Sequence, residues 1–212
     1  MNSRFAQFLS VVFHPLLMPT WLFALLLYVA PARLNVDTYS LGARFSVLVL
    51  LFLGTFAIPS LLIFYLYRIG YLRDMTMPDR ADRRLPFLLT GFIYTGVTYF
   101  FAFRMSLFSA TSPGVSVLLA GITLSILLVG IINQYWKISA HSVGIGGVLG
   151  AIAGLLAKSG DTDLFLPLVG LIAISGLVGS ARLQLNAHTL AQVGAGLGLG
   201  LLVSLASVSW LL

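Results

Sequence analysis

The chain contains no cysteine, so disulfides, thiolate metal sites and cysteine nucleophiles are excluded, and the redox compartment is left unread. It contains no glutamate either: all six acids are aspartates, set against 12 Lys and Arg for a net charge of +6. Charge of either sign is scarce. Only 8% of residues are charged, where a soluble domain carries about 25%. That is too little to cover a water-facing surface. With 59% hydrophobic residues and a mean hydropathy of +1.02, the 212-residue chain reads as an integral membrane protein. The basic balance does not point to nucleic acid, because the positive residues sit in short connections between apolar runs. Low-complexity tails and a water-soluble domain are also missing. The first apolar run has no small-residue cleavage site with a polar region behind it, so no cleavable signal peptide is expected.

A membrane span needs about 20 apolar residues. Seven runs qualify, at roughly 8–30, 45–67, 86–103, 114–133, 142–157, 163–181 and 189–211. The expected fold is therefore all-α, a polytopic transmembrane helix bundle of six to seven spans forming a single membrane domain over 1–212. His14, Pro15 and Pro19 predict a kink near the start of the first span, and Pro59 interrupts the second. The fifth span carries Gly144, Gly146, Gly147, Gly150 and Gly154, and the seventh Gly194, Gly196, Gly198 and Gly200. Small residues let helices in a bilayer approach closely, so these two spans are expected at the centre. A nucleotide-binding loop is a poor explanation of the glycines, since no strand precedes them and no Lys-Ser/Thr pair follows.

Three polar clusters break the apolar pattern. Arg68, Arg73, Arg80, Arg83 and Arg84 crowd one connection together with Asp74, Asp79 and Asp82. Residues 133–142 read Asn-Gln-Tyr-Trp-Lys-Ile-Ser-Ala-His-Ser, and residues 182–189 read Arg-Leu-Gln-Leu-Asn-Ala-His-Thr. Two spans separate each cluster from the next, so all three emerge on one face. The other face carries Arg33, Asp37, Arg44, Arg104, Lys158, Asp161 and Asp163, without histidine. An arginine-rich loop is by default a topology anchor under the positive-inside rule. Two histidines beside Arg and Lys on the same face favour a site instead, because ionisable groups at membrane depth mark function.

Ser139 and Asn186 are good N-cap residues. If they cap spans five and seven, His141 and His188 lie at equivalent positions, two residues into a helix. Helix N-termini offer free N–H groups and partial positive charge, which suits phosphate and keeps an imidazole neutral. Arg80, Arg83, Arg84, Lys137 and Arg182 are then available to neutralise a phosphate dianion, with arginine forks pairing its oxygens. The chemistry expected is phosphoryl transfer, one histidine attacking phosphorus and the other protonating the leaving oxygen.

At these residues the sequence resembles the type 2 phosphatidic acid phosphatase (PAP2) superfamily, whose signatures are K-x6-R-P, P-S-G-H and S-R-x5-H-x3-D. Arg182 and His188 match the third. Ile138-Ser139-Ala140-His141 matches the second at Ser and His. Arg80-Ala81-Asp82-Arg83-Arg84-Leu85-Pro86 matches the first loosely, with one extra residue between Arg84 and Pro86 and with Arg80 standing for the lysine. The resemblance covers roughly residues 80–200. It divides the chain into two N-terminal spans, 1–68, and a PAP2-like core, 69–212.

The resemblance implies that His188 is the nucleophile forming a phosphohistidine and that His141 is the acid on the leaving group. It implies that Arg182, Arg84 and Arg80 bind phosphate oxygens, that Ser139 adds a donor, and that no metal or other cofactor is needed. The implied substrate is a membrane lipid phosphate or polyprenyl diphosphate, hydrolysed in a bacterial inner membrane with the site facing the periplasm. Two positions depart from the pattern. Gln192 stands where the family has aspartate, and Ala181 precedes Arg182 where it has serine. Gln192 can accept the His188 Nδ1–H but supplies no negative charge. Two alternatives follow: a decayed PAP2-type protein that binds or moves anionic lipids, and a Mg²⁺-dependent prenyltransferase of the UbiA type using Asp74, Asp79 and Asp82. The latter needs a second acidic loop on the same face.

Overall fold

The computed structural model describes residues 1–75, 77, 79–105, 111–160 and 162–211, and no strand occurs among them. Among the described residues, seven helical segments are long and apolar enough to cross a membrane. Their order matches the seven runs read from the sequence.

The first span is broken, as its prolines predict. Helix α1 (Ser3–Val12) ends, a 3₁₀ turn covers Pro15–Leu17, and α2 (Met18–Tyr28) completes the crossing. Proline clashes with a helical residue before it, and His14 is extended at φ −60°, ψ 138°. The second span comprises α3 (Leu41–Phe52), a π-helical turn (Leu53–Ala57) and α4 (Ile58–Arg68). Pro59 has no N–H to give the carbonyl four residues back. That carbonyl belongs to Thr55, and the buried Tyr94 hydroxyl donates to it at 2.7 Å.

Tyr94 lies on α5 (Arg84–Tyr99), which pairs with α6 (Pro113–Tyr135). The remaining spans are α7 (Ala140–Ser159), α8 (Phe165–Gln184) and α9 (Leu190–Leu211). Helix α1 packs on α8, and α2 packs on α3 and α7.

Helices α7 and α9 make the closest packing, and glycine is the reason. A Cβ on Gly150 would lie 2.2 Å from the Leu201 carbonyl oxygen, and one on Gly146 2.3 Å from that of Leu197. From the other side, a Cβ on Gly200 would lie 2.1 Å from the Val143 oxygen, and one on Gly196 2.7 Å from that of Ser139. Two four-residue glycine repeats therefore face each other, backbone on backbone. In hydrocarbon there is no hydrophobic drive between helices, so close dispersion contact must hold them together.

The outer surface is apolar. Phe92 is 77% exposed, Leu166 76% and Leu202 64%, which is stable only against lipid. Tyr65, Tyr67, Tyr71, Tyr135 and Trp136 stand exposed at the end carrying the three polar clusters, where amphipathic rings suit the headgroup layer.

Candidate functional site

The glycine contact fixes the two helix starts that carry the histidines. The Ser139 N–H donates to the Gln192 carbonyl at 3.3 Å, tying the beginning of α7 to the first turn of α9. Ser139 caps α7 as the sequence predicts: its hydroxyl oxygen accepts from the Ser142 N–H at 3.3 Å and from the Ser142 hydroxyl at 2.9 Å. It is fully buried and does not line the cavity described below. Its position is structural rather than that of a phosphate donor.

The other expected cap is corrected. Asn186 does not start α9 but ends α8. It adopts φ +50°, a left-handed conformation that asparagine tolerates, and its N–H donates to Leu183 at 2.9 Å. Thr189 caps α9 instead. Its hydroxyl accepts the Gln192 N–H at 3.4 Å, and the Gln192 Oε1 accepts the Thr189 N–H at 3.2 Å, a reciprocal capping box. His188 consequently lies just before α9, while His141 is the second residue of α7, so the two positions are not equivalent.

The capping box decides the chemistry of His188. The same Gln192 Oε1 faces His188 Nδ1 at 3.1 Å. An atom that accepts the Thr189 N–H must be the amide oxygen, so His188 Nδ1 must be the donor. The neutral ring then carries its lone pair on Nε2, which is the form a nucleophile requires. Burial pushes the His188 pKa down from 6.5 to about 4, and Arg83, Arg182 and Lys137 add to the effect, against the opposing hydrogen bond to Gln192. Burial, Arg83 and Arg182 also hold Lys137 below its ordinary value, with Asp79 opposing.

His141 is oriented by a partner that sequence reasoning did not find. Its Nε2 lies 3.0 Å from the Ser10 carbonyl oxygen on α1. A carbonyl only accepts, so Nε2 carries a proton and Nδ1 is left for other work. The Ser10 hydroxyl donates to Ala6 at 2.9 Å and accepts from Arg182 Nη1 at 3.0 Å. One residue of the first span thus holds both His141 and Arg182. Arg182 Nε is buried with no hydrogen-bond partner among the described residues.

These groups meet at a cavity of about 190 Å³. His141, His188, Arg83 and Arg182 line it, as does His14 of the first-span kink. Away from them its wall is largely apolar, built from Met18, Leu22, Phe87, Ile122, Ile126 and Val148. Arg83 is held by its Nε, which donates to the Met77 carbonyl at 2.7 Å.

The other loop arginines are placed elsewhere. Arg80 is exposed and its Nη1 donates to the Tyr135 carbonyl, satisfying the end of α6, while its own carbonyl accepts from Asn133 Nδ2 at 3.2 Å. Arg84, the arginine matched to the first signature, is exposed and does not line the cavity. Its neighbour Arg83 lines the cavity instead. Lys137 is half-buried near Arg83 and Arg182 without lining the cavity itself.

Among the described residues, no three His, Asp or Glu side chains gather into a metal-binding group. Asp163 starts the sixth span at the opposite end of the bundle, and Asp161 lies outside the described residues. Among the described residues, no second group of aspartates stands at the end that carries Asp74, Asp79 and Asp82.

Among the described residues the fold supplies seven helices long and apolar enough to cross a membrane, as in an integral membrane protein, with a cavity lined by histidine and arginine. Compared with family models, with curated proteins and with solved structures, the chain matches none.

Proposed function

We propose that this protein is a membrane phosphatase of PAP2 type that hydrolyses a phosphomonoester or diphosphate on a lipid or polyprenyl head group. The observation that carries the proposal is a convergence. Two histidines with complementary free nitrogens, Nε2 on His188 and Nδ1 on His141, share with Arg83 and Arg182 a cavity whose remaining wall is largely apolar. A phosphate head group suits the charged end and a hydrocarbon chain the apolar one.

In this reading the His188 Nε2 lone pair attacks phosphorus. An N–P bond forms, the P–O bond to the leaving group breaks, and His141, entering this step as an imidazolium with its second proton on Nδ1, gives that proton to the departing oxygen and is left neutral. Water then attacks phosphorus while His141 takes back a proton, the N–P bond breaks and inorganic phosphate leaves. Arg83 and Arg182 stabilise the charge on the equatorial oxygens. Gln192 holds the His188 tautomer through both steps, as the family aspartate would, without its charge. Arg84, Arg80, Lys137 and Ser139 have no direct part; Lys137 contributes only its field. The proposed setting is a bacterial inner membrane with the site facing the periplasm.

The test is phosphate release by the purified protein in detergent with EDTA present. Phosphatidic acid, phosphatidylglycerol phosphate, undecaprenyl diphosphate and lipid A form the panel, with His188→Ala beside the wild type. EDTA-resistant release lost in the variant supports the reading. The uncharged Gln192 favours one second reading, a lipid-binding protein without turnover. It predicts binding of these lipids with no release from any of them.

A further inference from the structure

His14 belongs to none of the three polar clusters, yet it lines the cavity beside His141, with ring centroids 5.7 Å apart and planes at 80°. The pre-proline conformation at the kink turns its ring back on its own chain, where Nδ1 accepts the Leu16 N–H at 3.3 Å. That bond fixes the tautomer. Nδ1 must keep its lone pair, so the neutral ring carries its proton on Nε2. No partner for that Nε2–H occurs among the described residues.

We infer that His14 is a substrate-contacting residue, a neutral hydrogen-bond donor whose Nε2–H binds the leaving-group side of the lipid phosphate. The inference rests on the phosphatase reading and adds to it. His141 Nε2 is committed to Ser10, so His141 offers the leaving oxygen one nitrogen only. His14 stands next to it, and its chain neighbours Pro15, Leu16 and Met18 line the same cavity, offering the leaving group's carbon chain an apolar wall. It is no proton donor in turn, because an imidazolium at His14 would set a second N–H against that of Leu16. Its contribution is to stabilise negative charge developing on the leaving oxygen, which matters most for a poor leaving group such as an alkoxide.

Two substitutions separate this role from the capping role. His14→Asn keeps an acceptor at the Nδ1 position and removes the distal donor. His14→Gln keeps a distal N–H donor and gives up the cap. The assay compares, in the full-length protein with EDTA, turnover of dioleoyl phosphatidic acid with that of p-nitrophenyl phosphate, whose leaving group needs little help. In His14→Asn the ratio of lipid to aryl turnover is expected to fall about ten- to hundredfold, mostly in kcat. His14→Gln is expected to recover most of that ratio while melting lower. Equal losses on both substrates in His14→Asn, or an unchanged ratio, overturn the inference even with the wild type active. If the wild type releases phosphate from no substrate, the phosphatase reading fails and this inference falls with it.

Discussion

Replacing Gln192 with glutamate is the sharpest perturbation of the proposed chemistry. The amide oxygen lies 3.1 Å from His188 Nδ1, and glutamate puts a carboxylate there with the same reach. Burial, aided by the nearby cations, pushes the His188 pKa down from 6.5 to about 4. At about 1.4 kcal/mol per pH unit, that gap corresponds to a preference of at most about 3.5 kcal/mol for the neutral ring. An opposite charge at this distance typically offsets about 1–3 pH units of such a gap, so His188 is expected to titrate between about 5 and 7 in the variant. The capping box accepts glutamate as readily as glutamine, so α9 should start unchanged.

The sign of the effect follows from the nucleophile, which must be neutral. Activity is present above the His188 pKa and is lost as pH falls through it. The acid limb of kcat/KM should therefore lie near pH 4 in the wild type and at least about one unit higher in Gln192→Glu. Stability follows the same window. Below pH 6.5 the unfolded chain takes up a proton that the folded ring refuses until about pH 4. This contribution is thus complete above 6.5 and lost as pH falls to about 4. The variant should tolerate acid better. The assay is a pH series of phosphate release, with histidine ring resonances followed by NMR as a readout independent of turnover. An acid limb and a His188 titration that both stay at the wild-type pH would show that the Nδ1 contact does not govern the ring.

The neighbouring arginines should separate cleanly. Arg83→Ala is expected to cost at least about tenfold in kcat/KM, and Arg84→Ala less than about twofold, measured on whichever lipid phosphate turns over best. Gly150→Ala forces a methyl group against the Leu201 carbonyl, with an expected cost of about 1–3 kcal/mol, read as a lower melting temperature in detergent. Thr189→Ala removes the cap of α9 for about 1 kcal/mol and frees the Gln192 side chain that holds His188. Both stability and kcat should fall, and Thr189→Ser should restore them.

The seven spans were legible because a bilayer crossing imposes a length that composition reveals. Pro15, Pro19 and Pro59 marked the breaks for an equally local reason, and the two glycine runs predicted the central contact. The link between Gln192 and His188 was legible from a four-residue offset, although the histidine stands outside the helix. What stayed hidden depends on which helices meet. Ser10 orients His141 through a backbone carbonyl, an atom every residue possesses, and only the packing of α1 on α8 brings it there. Arg83 and Arg84 are adjacent in sequence and chemically identical, so only the docking of their loop decides which one enters the cavity. Asn186 and Thr189 both fit a helix boundary. A left-handed asparagine closing α8 and a threonine opening α9 are distinguished by backbone conformation, which residue type does not specify.

The central claim is that His188 Nε2 attacks phosphorus, and trapping the covalent intermediate tests it most directly. The protein would be mixed briefly with phosphate-labelled phosphatidic acid, quenched in alkali to preserve an acid-labile phosphoramidate, digested, and mapped by mass spectrometry. Attack by His188 Nε2 predicts a phosphoryl group on the peptide containing His188, labile to acid and missing in His188→Ala. Turnover that persists in His188→Ala, or a label that maps to another residue, would contradict it.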